Sequence, residues 1–166
     1  MNNSKLKLKL MILTALIAAL SVIGSFIKVP GIITTAALDS APAFMSVAFL
    51  PPIYSGLAGG LGHLATAYSS GFPFGPLHIL IAIEMFIIVS LFNVLHKKGF
   101  TILKWIFLIV ANGILSPLPF YFIISPAFYF SALPSLLVAT VINVIIVLII
   151  MPILVKILNN GKVKHI

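Results

Sequence analysis

Long apolar runs alternate with short polar or proline-rich breaks along this chain, and six of the runs have the length that a membrane-crossing helix needs, about 20 residues or somewhat fewer where neighbours shield the ends. The first covers residues 8–27 and stops at Lys28 and the turn made by Pro30 and Gly31. The second starts at Asp39 or Ser40, either of which suits an N-cap with Pro42 in the first turn, and ends at Pro51 and Pro52. The third covers 53–69, and residues 70–75 form a turn-rich loop. The fourth runs from Pro76 to His96, and the fifth from Thr101 to an end left open by Pro117 and Pro119, either of which kinks or stops a helix. The sixth covers 132–157, with Pro134 early in it. No repeat and no domain boundary interrupts the series, so residues 1–166 read as one integral-membrane domain.

Composition makes lipid the solvent. The chain is 61% hydrophobic and 7% charged, with a mean hydropathy of +1.27, whereas a soluble domain carries about 25% charge. The net charge of +8 could suggest nucleic acid. Its placement argues against that: nine of the ten lysines lie in the first ten residues, at Lys97, Lys98 and Lys104, and at Lys156, Lys162 and Lys164. Basic residues are retained on the cytoplasmic side. Six crossings with both termini inside put all three clusters there and leave only Lys28 outside; five or seven crossings break the agreement. The expectation is therefore an all-α, six-helix membrane bundle, both ends inside, with the first helix retained rather than cleaved as a leader. With no cysteine, disulfides and thiolate metal sites are excluded.

Only two acids are present, Asp39 and Glu84. Glu84 falls about two turns into the fourth helix, a depth at which an ionisable residue faces protein or a cavity. It reads as a ligand acceptor or proton-coupled group, or else as a protonated carboxyl tying two helices together. Gly59, His63 and Ala67 share one face of the third helix. Small residues line helix contacts in membranes, so His63 is expected to point into the bundle, towards Glu84. That pair would hold a polar ligand or be a satisfied buried hydrogen bond. Asp39 and Ser40 stand at the outer mouth as caps or as ligand contacts, and His78 is an interfacial histidine or a contact. Asn112 shares a face with Ser116, and Asn143 with Ser135 and Ala139; both amides must find partners, between helices or on a ligand. Phe72 and Phe74 form one aromatic set, and the residues 120–122 and 128–130 another, in a second outer loop over 118–131. Such residues form interfacial belts, and two such loops on one side could also close over a flat ring.

Two patterns carry less than they suggest. Residues 60–65 fit G-x-G-x-x-A but lie inside an apolar span, which argues against a dinucleotide site. Gly56 and Gly60 form G-x-x-x-G, a close-packing signal. No metal-hydrolase spacing joins His63, His78 and Glu84. An intramembrane enzyme built on His63 and Glu84 and a scaffold that binds no small molecule remain as the other classes.

The chain resembles the substrate-binding S components of energy-coupling factor vitamin transporters. The likeness lies in Ala15-Leu16-Ile17-Ala18-Ala19, similar to the A-x-x-x-A motif of those proteins. It lies also in Ala37-Leu38-Asp39-Ser40-Ala41-Pro42, in the stretches 59–67 and 71–78, and in Ile81-Ala82-Ile83-Glu84-Met85. Together these are most like the branch assigned to alpha-ribazole, a dimethylbenzimidazole nucleoside. The resemblance implies a subunit of a prokaryotic cytoplasmic membrane that captures its substrate from outside and is not itself an enzyme. Ala15 and Ala19 would meet a transmembrane coupling subunit, and two partner ATPases would supply the energy, since this chain has no Walker motif. Aromatics would sandwich the base, while Asp39, His63, Glu84 and an asparagine would bond the ribose. Riboflavin, a queuosine precursor or another cyclic nutrient is the alternative cargo. The resemblance implies neither cofactor nor metal.

Overall fold

A computed structural model describes residues 3–28 and 37–160. The turn at Pro30 and Gly31, most of the expected outer loop that follows it, and Lys162 and Lys164 lie outside the described residues. The fold is all-α: α1 (Asn3–Ser25), α2 (Ala41–Met45), α3 (Pro52–Ser69), α4 (Leu77–Lys97), α5 (Leu103–Val110), α6 (Leu118–Ile123) and α7 (Pro126–Asn160). A 3-10 turn, Ser46–Ala48, continues α2, and a π-helical stretch, Ala111–Leu115, joins α5 towards α6. Among the described residues, four helical stretches are long and apolar enough to cross a membrane: Asn3–Ser25, Leu77–Lys97, Leu103–Ile123 and Pro126–Asn160. Large apolar side chains such as Ile12, Ile83, Ile106 and Ile145 face outward along them, the pattern of a surface solvated by lipid rather than water.

The helix ends follow from local chemistry. Ser70 ends α3 and Gly71 turns left-handed at φ +78°. The Phe72 N–H then reaches the Ala67 carbonyl at 2.8 Å and the Gly71 N–H the Tyr68 carbonyl at 3.1 Å, which satisfies carbonyls the helix leaves free. Gly99 closes α4 in the same way, with Phe100 N–H on the Leu95 carbonyl at 3.1 Å.

Helix α3 is the centre of one half of the bundle, packed between α1 and α4. Its glycines permit that approach. A Cβ on Gly60 would stand 2.9 Å from the Ala82 carbonyl oxygen of α4, one on Gly62 would stand 2.8 Å from Ser21 Oγ of α1, and one on Gly56 would collide with Ser90 and Phe86. The G-x-x-x-G pair is thus a packing device. The other half is α5, the π stretch, α6 and α7, which pack on one another and on α4. Phe44, Val47, Val89, Phe92, Leu108 and Val147 fill the junction of the two halves.

The second expected helix differs most from its sequence reading. Instead of one span over 39–51, five helical residues of α2 and a three-residue 3-10 turn sit inside the bundle, with Ala41, Pro42, Ala43 and Phe44 all buried. This piece still travels from end to end. Ala37 pairs with Lys28, whose ammonium donates to Ser70 Oγ at 3.4 Å at the α3 C-terminus. At its other end, the Leu50 carbonyl accepts from Asn93 Nδ2 at 3.0 Å, one turn before Lys97.

The expected outer loop over 118–131 is also corrected: most of it is helical, in α6 and the first turns of α7. Ser125 Oγ accepts the Phe128 N–H at 3.1 Å with Pro126 as the first helical residue, a capped start. The 35 residues of α7 therefore exceed the span expected over 132–157, and Pro134 and Pro152 lie inside it.

Candidate functional site

An open cavity lies where α3 ends and α4 begins, bounded on the far side by the π stretch, α6 and α7. It holds about 800 Å³ of atom-free space, its mouth included. Of the residues expected to bind substrate, Asp39, Ser40, His63, Phe74, Asn112 and Asn143 line it. They come from five different parts of the chain and converge only through the packing described above. Phe72, His78 and Glu84 do not line it: His78 contacts His63 and Phe74, and Glu84 contacts Ser116, which do, while Phe72 packs only behind them.

The polar side chains have defined partners. His63 Nε2 lies 3.1 Å from His78 Nδ1, and the Phe74 N–H donates to His78 Nε2 at 3.4 Å. His78 is almost wholly buried, at 1% exposure. The expected partnership of His63 with Glu84 is not formed: Glu84 Oε2 accepts instead from Ser116 Oγ at 3.1 Å. Residues 78 and 84 lie on different faces of α4, so one turns to α3 and the other to the π stretch. Ser116 itself lines the cavity. Glu84 thus reaches the space through a hydroxyl.

Asn112 Nδ2 donates to Thr140 Oγ1 at 2.9 Å, and its carbonyl oxygen has no partner among the described residues. Asn143 is fully engaged: Oδ1 accepts the Ala41 N–H at 2.9 Å, and Nδ2 donates to the Ala37 carbonyl at 3.0 Å and the Ala139 carbonyl at 2.8 Å. Its bonds are those of a structural clamp. Ser40 occupies the N-cap position of α2, but its side chain makes no cap bond. Asn143 does that work from α7, so Ser40 and Asp39 are released to face the cavity.

Aromatic rings gather at the mouth, though not as two loops. Phe74 lies 6.0 Å from Phe120 and 5.8 Å from Phe128, with those two 6.2 Å apart, centroid to centroid. All three line the cavity. Phe72, at φ +48°, a conformation uncommon outside glycine, packs on Tyr68 and on His78, at 6.2 and 5.7 Å between centroids. Thr140 and Leu136 also line it without having been singled out by sequence. Thr140 sits one residue beyond Ala139, beside the face already marked by Ala139 and Asn143, and that is the one signal that could have found it. Among the described residues no three histidine, cysteine or acidic side chains cluster closely enough to hold a metal ion.

On α1, Thr14, Ile17, Ala18 and Ser21 turn inward while Ala15 and Ala19 stay exposed. The two alanines are one turn apart on an uncovered face.

No protein-family model, no curated protein and no solved structure matches this chain.

Proposed function

We propose that this protein is the membrane-embedded substrate-binding subunit of an energy-coupling factor importer, and that its cargo is alpha-ribazole or a closely similar nucleoside. The observation that carries the reading is the composition of the cavity: three phenylalanine rings at the mouth and, on the walls, Asp39, His63, Asn112 and Ser116. A flat base suits the rings, and a sugar suits the scattered polar groups, which offer hydrogen bonds without a concentration of charge.

The same reading sets the topology. The segment 37–51 serves as the second crossing of six: five α-helical residues at about 1.5 Å, three 3-10 residues at about 2.0 Å and seven others at up to about 3.3 Å each reach at most about 37 Å, enough to span the hydrocarbon thickness. Non-helical backbone at that depth is tolerated because it is buried in protein. Both termini and the turn carrying Lys97, Lys98 and Lys104 then face the cytoplasm of a prokaryotic cell, and the cavity opens outward. Docking on a coupling subunit uses Ala15 and Ala19, with two ATPases completing the assembly.

Calorimetry of the purified protein in mild detergent tests the cargo: heat of binding with alpha-ribazole is expected, and heat only with riboflavin or a queuosine precursor would reassign it. Copurification tests the class, since a coupling subunit and two ATPases are expected to accompany the chain.

A further inference from the structure

We infer that His78 is a positioning residue that holds His63 in its Nδ1–H tautomer, so that the α3 wall of the cavity offers a hydrogen-bond donor and selects ligands with an unprotonated acceptor, such as a bare ring nitrogen, at that place. The inference rests on the proposed role of the cavity as a ligand site, and deepens it.

The argument starts from a group that has no choice. A backbone N–H only donates. The Phe74 N–H points at His78 Nε2, so that nitrogen must carry the lone pair. In neutral imidazole the proton then sits on Nδ1. His78 Nδ1–H faces His63 Nε2 at 3.1 Å, and His63 Nε2 must in turn accept. The proton of His63 is thereby placed on its Nδ1. Any other arrangement opposes two donors or two lone pairs at one of the two contacts.

His63 Nδ1 has no partner among the described residues, and it is not among the polar side-chain atoms sealed away from solvent. His63 lines the cavity. The donor end of the relay is therefore free for a ligand. The relay begins in the backbone of Phe74, whose ring belongs to the aromatic trio. One residue thus supplies both a face for a flat base and, through two imidazoles, the hydrogen bond that distinguishes a ring nitrogen from a ring C–H. A site built to hydrogen-bond a group rejects the analogue that lacks it far better than a site that only encloses it.

The test has two independent arms. In the first, the full chain is labelled with 15N-histidine, placed in lipid nanodiscs without ligand, and its ring nitrogens are read by NMR. Both His63 and His78 are expected with the proton on Nδ1. In His78→Ala, His63 is expected to redistribute between tautomers; if that variant does not fold, the spectrum of the unaltered protein decides alone. His63 protonated on Nε2 in the unaltered protein would overturn the relay. In the second arm, alpha-ribazole is compared with the isostere in which its unsubstituted ring nitrogen is replaced by C–H. The isostere is expected to bind at least about tenfold more weakly. Equal affinity would overturn the selection rule. Binding of neither probe, with His63 in the Nδ1–H form, would overturn the alpha-ribazole reading and leave the relay standing.

Discussion

Asn143 Oδ1 accepts the backbone N–H of Ala41 at 2.9 Å, across 102 positions of chain. This one bond replaces the local cap that α2 lacks, and it anchors the buried segment to α7. Removing the Asn143 amide strands the Ala41 N–H and also the Ala37 carbonyl, which accepts from Asn143 Nδ2. Asn143→Ala is therefore expected to destabilise the protein by about 2–4 kcal/mol. Ser40→Ala, at the nominal cap position, is expected to cost under about 0.5 kcal/mol, because its hydroxyl makes no cap bond. Denaturant unfolding of both variants in detergent checks the contrast, and equal losses would contradict it.

The contact of α3 with α4 depends on a missing side chain. Gly60→Ala places a methyl 2.9 Å from the Ala82 carbonyl oxygen, a backbone atom that cannot swing aside. The expected loss is about 1–3 kcal/mol from forced separation of the two helices. Gly71→Ala meets open space, so its cost is the left-handed backbone alone, about 1–2 kcal/mol. Thermal shifts of the pair, together with cross-linking between α3 and α4, separate the two mechanisms: only Gly60→Ala should alter the cross-link yield.

Phe74 and Phe72 were equal candidates for stacking on a flat ring, but only Phe74 lines the cavity. Phe74→Ala is expected to weaken ligand binding about tenfold or more, the scale of one lost stacking partner. Phe72→Ala is expected to change affinity under about threefold. Calorimetric titration of the two variants with alpha-ribazole gives the comparison.

Ala15 and Ala19 are exposed on α1 and take no part in the core. Ala15→Trp and Ala19→Trp are expected to leave folding and ligand affinity intact while abolishing uptake by cells, since bulk there blocks close helix approach. Normal uptake by either variant would remove this face from subunit docking.

The sequence reading was strongest where the signal is local. The bounds of α3 and α4 fell close to the breaks at Pro52, residues 70–75 and Pro76, and the small-residue face of Gly59, His63 and Ala67 turned His63 inward. Ser125 and Pro126 announced the start of α7 just as locally, but the aromatic run behind them was read as a loop. What no local pattern carried was pairing across distance. His63 took His78 rather than Glu84 because residues 78 and 84 occupy different faces of α4. The conversion of the second helix into α2 and a buried coil depends on Asn143 and on Asn93, which supply bonds that a regular helix would have found within itself.

The π-helical stretch Ala111–Leu115 closes with the Ser116 N–H on the Ala111 carbonyl, five residues back, at 2.8 Å. A wide turn of this kind holds one residue more than the ordinary spiral. Winding the same residues as a regular α-helix would rotate everything beyond it by about 100°. Ser116, Pro117 and Phe120 would swing off the cavity, and Glu84 would lose its hydroxyl neighbour with no side chain having been altered. The orientation of that whole wall is thus fixed by a count of peptide units.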